Sequence, residues 1–261
     1  MTDPILTVRN LSKTFGTFTA VDDVSFELAA GSSIGVVGES GSGKTTVARL
    51  IVGLEQPTAG TITCCGNDRS HPSRTTRARR TRAREAQIVF QDPYTSLDPR
   101  QTVAETLTEA LRLHGDSPRP DRLQELADMV GLNARLLASV PGRLSGGQRQ
   151  RVAIARALAA EPRIVVLDEA VAALDVSIQA QILNLLADIR DATGVSYVFI
   201  THDLAVVRQV SEHTIVMQSG RIVERGPTDA LLGDPQHPYT RALLDSVPRP
   251  GWTPQRRAVL T

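Results

Sequence analysis

The chain has 261 residues, 41% of them hydrophobic and 22% charged, and its 29 basic and 28 acidic side chains leave a net charge of +1. That length can bury a sizeable core in one large domain, or in a core with a sub-domain, and excludes a small disulfide-stapled scaffold. The near-zero charge argues against a protein that coats nucleic acid, and no run approaches the roughly 18 apolar residues that a membrane-spanning helix needs. Met1-Thr2-Asp3-Pro4 lacks the basic and apolar regions of a secretory leader, so the chain is expected to stay in the cytoplasm. Lysine occurs only at Lys13 and Lys44, and the resulting arginine bias points to a GC-rich genome.

Residues 5–8, 24–28 and 34–37 are short β-branched and apolar segments between glycines and read as strands. The stretch 44–54 has helical spacing, with Val47, Leu50, Ile51 and Leu54 on one face and Gly53 and Pro57 near its end. A further strand spans 61–65. It contains the only cysteines, Cys64 and Cys65, which cannot supply a metal cage by themselves and are expected on its two faces. Residues 66–73 read as loop. Arg74, Arg77, Arg79, Arg80, Arg82 and Arg84 follow as a basic run, read as a solvated helix face, with contact to lipid phosphates or an acidic partner as the alternative. After a strand at 87–90 the pattern turns helical from 102 to 160, broken at Gly115 to Pro120, as expected of an inserted helical sub-domain. The apolar runs 164–167 and 197–200, with a helical segment at 178–189 between them, read as strands buried on both faces of a parallel sheet. Neither internal repeats nor a low-complexity linker interrupts this alternation of strands and helices.

Gly38-Glu39-Ser40-Gly41-Ser42-Gly43-Lys44-Thr45 fits the phosphate-binding pattern G-x-x-x-x-G-K-[ST], and it lies between an apolar strand and an amphipathic helix, where that pattern must lie. Glycines let the backbone wrap a polyphosphate, helix N–H groups point at its anionic oxygens, and Lys44 adds a full charge. Thr45 is the candidate Mg²⁺ ligand. Asp168 and Glu169 end the 164–167 strand, at the edge where open α/β sheets bind ligands. There Asp168 is placed to hold Mg²⁺ through water and Glu169 to polarise the water that attacks a γ-phosphate.

The next motif narrows the family. Leu144-Ser145-Gly146-Gly147-Gln148-Arg149-Gln150-Arg151, opening a helix, resembles the signature of ABC-type ATPases. Ser145 with the Gly146 and Gly147 amides forms a second anion site, although a serine before glycines also caps a helix well. The resemblance extends the nucleotide contacts to Thr46 and Gln148 and supplies further positions. It implies a Mg²⁺-touching glutamine at Gln91, a switch histidine at His202, an adenine-stacking aromatic at Phe15 with Phe18 the second choice, and an interface aspartate at Asp175. Lys44, Glu169 and His202 form the implied catalytic set. Ala172, where serine is usual, and Ala170, where proline is common, depart from the family pattern and bear on coupling across the interface.

The implied fold is an α/β P-loop NTPase core with a mainly parallel sheet, an N-terminal antiparallel β sub-domain and a helical sub-domain inserted at about 91–160. Residues 1–233 form the ATPase domain and 234–261 a short C-terminal extension. Asp234-Pro235-Gln236-His237-Pro238-Tyr239-Thr240-Arg241-Ala242-Leu243-Leu244 is similar to the C-terminal segment of ATP-binding subunits of dipeptide, oligopeptide and nickel importers, as is the 91–100 stretch. The resemblance implies ATP and Mg²⁺ as cofactors and a second ATPase, identical or paralogous, in a head-to-tail dimer. It also implies two permease subunits at the cytoplasmic face of the inner membrane, an extracytoplasmic solute-binding protein acting indirectly, and no nucleic-acid partner. The alternatives are a soluble ABC ATPase acting on ribosomes or DNA, and a subunit that binds ATP without hydrolysing it.

Overall fold

The structure is a computed structural model and describes residues 3–73, 75–92, 96–114 and 120–245. Arg74, residues 93–95, the break at 115–119 and the tail from Ser246 onward, with Trp252, lie outside the described residues.

Two sheets carry the fold. The first is antiparallel and four-stranded, in the order β2-β1-β4-β5, with β1 at Pro4–Phe15, β2 at Phe18–Ala29, β4 at Ala59–Cys64 and β5 at Asn67–Asp68. The first two strands run to 12 residues each, well past their apolar centres, because their outer ends need only half-buried, alternating side chains. The second sheet has the order β10-β9-β3-β8-β7-β6. Its members are β3 (Ser33–Val37), β6 (Ala86–Val89), β7 (Ile164–Asp168), β8 (Ser196–Thr201), β9 (His213–Gln218) and β10 (Arg221–Pro227). All of its pairings are parallel except that of β10 with β9. Every residue of β3, β7 and β8 is buried, as continuous apolar strands require when both faces are covered.

Helix α1 (Lys44–Val52) turns Val47, Ala48, Leu50 and Ile51 inward and ends at Gly53, whose φ of 80° is the left-handed cap that glycine adopts freely. Its inward face joins a core shared by the two sheets, with Leu6, Val24, Ile62, Val166 and Ile215. A second core lies under the inserted helices. These are α3 (Val103–Leu113), α4 (Pro120–Met129), α5 (Ala134–Leu137) and α6 (Gly146–Leu158), which pack Leu107, Leu111, Leu126 and Ile154 against Leu167 and Phe199 of the sheet. Helices α7 (Val176–Thr193), α8 (Leu204–Val210), α9 (Thr228–Gly233) and α10 (Pro238–Asp245) follow among the described residues. The arginine run lies on helix α2 (Thr76–Glu85), where Arg77, Arg79, Arg80 and Arg84 are exposed.

Two local expectations need correction. Cys64 and Cys65 do not lie on opposite faces of one strand. Cys64 ends β4, while Cys65 is a turn residue with φ of 51° before Gly66 at 78°, so the chain reverses there and the two sulfurs come within 4.0 Å. The 66–73 stretch, read as loop, also includes β5 and the fully buried Arg69. Its guanidinium donates to the Glu85 carboxylate at 3.0 Å and to the Ile51 carbonyl at 2.7 Å, tying α2 to the end of α1. Among the described residues no helix is long and apolar enough to cross a membrane.

Candidate functional site

The phosphate loop springs from the C-terminal end of β3, which is flanked by β8 and β9, and leads into α1. Two of its glycines, Gly38 and Gly43, are steric necessities. A Cβ on Gly38 would lie 2.2 Å from the Met217 carbonyl oxygen, and one on Gly43 would lie 2.4 Å from that of Ala20. Gly43 takes the N-cap position of α1 without a side-chain cap, which leaves the first N–H groups of the helix directed at an incoming anion. Glu39, Ser40 and Gly41 are exposed, Ser42 is buried, and Thr46 is half-buried on the first turn.

Lys44 is buried, and its ammonium donates to the carbonyls of Gly38 and Glu39, both at 2.7 Å, and to Ser42 Oγ at 3.3 Å. Burial lowers the pKa of this ammonium, while the carboxylates of Glu169, Asp168 and Glu39 oppose that shift. Across the sheet edge, the Thr45 hydroxyl donates to Asp168 Oδ1 at 3.1 Å, so the loop and the β7 strand end meet. Burial pushes the Asp168 carboxyl up, the Thr45 hydrogen bond opposes this, and the Glu169 charge adds to it. A Mg²⁺ ion is usually held by one or two carboxylates together with waters and substrate phosphates. A hydroxyl and a buried carboxylate with a raised pKa, side by side beneath a phosphate loop, fit such an ion.

Glu169 follows with φ of 50°, a conformation that is uncommon outside glycine and occurs where surrounding bonds hold it. The Glu169 N–H donates to the Ile200 carbonyl at 2.8 Å, and the Glu169 carbonyl accepts the Ala172 N–H at 3.0 Å. The side chain thereby turns toward His202, whose Nδ1 lies 3.4 Å from Glu169 Oε1, with the ring 59% exposed and the carboxylate 20%. Gln91 is exposed two residues past the end of β6. Because Val89 pairs with Leu167, Gln91 shares the carboxylate edge of the sheet. Phe15 closes the β1–β2 hairpin opposite Phe18. It is 45% exposed, with the Lys13 ammonium 4.7 Å from its ring centre.

The signature stretch lies at the other end of the helical insert. Ser145 and Gln148 form a reciprocal capping box, with Ser145 N–H donating to Gln148 Oε1 at 2.9 Å and Gln148 N–H donating to Ser145 Oγ at 3.3 Å. A Cβ on Gly147 would lie 2.5 Å from Ile178 Cγ2, and one on Gly146 would lie 3.3 Å from Leu174 Cδ2. Those glycines therefore also admit the 172–178 segment, in which Ala172, Ala173 and Asp175 are exposed. The hydrogen bonds of Ser145 and Gln148 stay within this cap, whereas Lys44, Thr45, Asp168, Glu169 and His202 are gathered at one sheet edge.

Several contacts had no local signal. The Gly220 N–H in the β9–β10 turn donates to the Ser42 carbonyl at 3.1 Å, and the Glu39 N–H donates to the Tyr239 hydroxyl at 2.9 Å. Arg69, in a stretch read as loop, anchors the far end of α1.

The family model for the ABC transporter matches residues 21–172, and that for the oligopeptide/dipeptide transporter C-terminal region matches 223–259. A Brucella abortus protein, provisionally named a peptide import ATP-binding protein, is 51% identical over 233 residues, spanning 88% of this chain and 70% of its own. A Brucella ovis protein with the same provisional name is 46% identical over 254 residues, spanning 95% and 80%. A dimeric ATP-binding cassette solved in a post-hydrolysis state with ADP and Pi superposes with a TM-score of 0.76 at 28% identity, covering 85% of this chain and 98% of that one. A Clostridium perfringens cassette that is part of an ABC transporter complex superposes at 0.78 with 26% identity, covering 89% and 92%.

Proposed function

The chain belongs to the ABC transporter family of ATP-binding proteins, and from that premise we propose that it is the ATP-hydrolysing subunit of a bacterial peptide importer. One observation carries the hydrolytic reading: the Thr45–Asp168 hydrogen bond of 3.1 Å, which joins the phosphate loop to a strand end where Glu169 and His202 stand side by side. Peptides stand ahead of nickel as the solute because the matched C-terminal region is that of oligopeptide and dipeptide transporters and because the two relatives are named for peptide import.

In this reading Gly38 to Thr46 cradle the phosphates and Lys44 moves from loop carbonyls to phosphate oxygens. Phe15 stacks on adenine. Thr45, Asp168 and Gln91 would hold Mg²⁺, which when bound neutralises charge on the phosphates. Glu169 accepts a proton from the attacking water, and His202 orients Glu169 and that water. Ser145, Gly146, Gly147 and Gln148 act on the nucleotide of a second ATPase, identical or paralogous, whose signature completes the site of this chain in return, with Asp175 at the interface. The domain division at 233/234 is part of the same reading.

Two permease subunits would contact the cassette at a groove of about 940 Å³ between the core and the helical insert, lined by Leu54, Ile88, Phe90, Ala110 and Arg156. None of the phosphate-loop residues, Asp168, Glu169 or His202 lines this groove. Its mixed apolar and polar lining, with Leu54 and Leu113 exposed, suits a short helix from a permease. The cassette would then sit peripherally at the cytoplasmic face of the inner membrane, with a solute-binding protein acting from outside.

The test is ATP hydrolysis by the purified chain with and without Mg²⁺, beside Glu169→Gln. Mg²⁺-dependent phosphate release is expected. The variant should bind ATP as the parent does but turn it over roughly 100-fold or more slowly, the usual contribution of a general base. Normal hydrolysis by the variant would remove Glu169 from its role, and failure of the parent chain to bind ATP would overturn the whole reading.

A further inference from the structure

Helix α10 is fixed to the core in three ways. Leu243, Leu244 and the Tyr239 ring pack on a small cluster of Val37, Leu204, Val207, Val216 and Leu231. Val37 is the last residue of β3, so the helix rests against the strand end from which the phosphate loop springs. The approach to the helix is held by Glu224 of β10, whose carboxylate accepts the N–H groups of Gln236 at 2.7 Å and His237 at 3.1 Å. The third tie is the Tyr239 hydroxyl, which accepts the Glu39 N–H across 200 positions of sequence.

That hydrogen bond acts on a constrained piece of backbone. Gly38 is buried against the Met217 carbonyl, and the carbonyls of both Gly38 and Glu39 accept the Lys44 ammonium. Glu39 itself is exposed, so without Tyr239 its N–H would turn to water. The ring hydroxyl therefore fixes the remaining free edge of the segment on which the Lys44 ammonium rests.

We propose that Tyr239 is a positioning residue for the phosphate loop: its hydroxyl holds the Glu39 amide, and the C-terminal helix thereby sets nucleotide affinity without touching the nucleotide. The proposal rests on the reading of this loop as the ATP site. A loop held in its binding shape loses less freedom when the ligand arrives. One net hydrogen bond corresponds to roughly a 2- to 10-fold change in affinity. Because the tie does not touch the reacting atoms, it should act equally on bound substrate and transition state, so KM moves and kcat does not.

Tyr239→Phe keeps the ring and its packing while deleting the hydroxyl. Two measurements are needed: amide hydrogen exchange of the nucleotide-free protein, and ATP titration together with KM and kcat. The expected result is faster exchange at Glu39 with β3 unchanged, a Kd and KM for ATP raised about 2- to 10-fold, and a kcat within about twofold of the parent. Unchanged exchange at Glu39 would show that the tie does not hold the amide. Faster exchange with unchanged affinity, or a fall in kcat without a rise in KM, would overturn the role assigned to it. A parent chain that binds no ATP would bring down the loop reading and this proposal with it, an outcome distinct from any difference between parent and variant.

Discussion

Asp168 is buried without a full counter-charge, and this sets a cost that can be measured apart from catalysis. Its carboxyl pKa is raised, chiefly by burial, so the folded chain disfavours the ionised form. The sign follows: no penalty exists below the unfolded value of about 3.9, and the full penalty applies once the pH has passed the raised folded value. Asp168→Asn keeps an oxygen for the Thr45 hydroxyl but carries no charge. The nucleotide-free variant should be more stable than the parent by about 1 kcal/mol at neutral pH, with the gap closing in acid. Urea unfolding at both pH values checks this, and a variant less stable at neutral pH would contradict it. Residues whose chemistry fixes their neighbours, such as Lys44 after Gly43 or Asp168 and Glu169 after an apolar run, were legible in the sequence. Cys65, Arg69 and Tyr239 were not, because a positive φ at a turn, a burial and a contact 200 positions away leave no mark in their own surroundings.

Periodicity announced the helices and apolar runs announced the buried strands, because each element must hide one face or two. What the pattern withheld was why one element approaches another closely. At α6 the sequence favours an anion site at the serine and glycines over a simple helix cap, and the structure adds a further demand. The first turn of α6 meets the start of α7 so tightly that Ile178 occupies the space of a side chain at Gly147. In Gly147→Ala the new methyl overpacks this contact, at about 1–3 kcal/mol, against a gain of up to about 1 kcal/mol in helix propensity. A net destabilisation of about 1–2 kcal/mol in thermal unfolding is therefore expected. Ile178→Ala removes the obstructing methyl, so the double variant should lose less than the two single losses combined. Strict additivity would mean that the two helices do not contend for that space.

At the scale of the molecule, the phosphate loop and the signature stand on separate parts of the fold, each at the start of a helix. In the proposed reading a single chain presents two half-sites, and the 172–178 segment lies against the one at the signature. Val176 in that segment is 83% exposed, with Ala172 and Ala173 exposed beside it. Large apolar side chains so exposed need no special account when single, but this one sits among small residues beside a candidate anion site. The exposed Ala172, which departs from the family pattern, and Ala173 leave this surface shallow, so Val176 is its most prominent apolar point. In solution, the Glu169→Gln variant with ATP and Mg²⁺ is expected to form a dimer that dissociates when nucleotide is removed, since two nucleotides then bridge two pairs of half-sites. Adding Val176→Glu places a charge where the partner would pack. An exposed substitution of this kind should shift monomer stability by no more than about 0.5 kcal/mol, while the dimer should require at least about tenfold more protein to form, the equivalent of roughly 1.4 kcal/mol of lost association energy. Light scattering over a protein titration separates the outcomes. Equal dimerisation with and without the added charge would remove Val176 from the interface, whereas a Glu169→Gln chain that stays monomeric with ATP would direct the search to a paralogous partner. Dimerisation of the Glu169→Gln chain with ATP makes two copies of this chain sufficient to enclose the nucleotide, and its loss on charging Val176 places that residue where they pack.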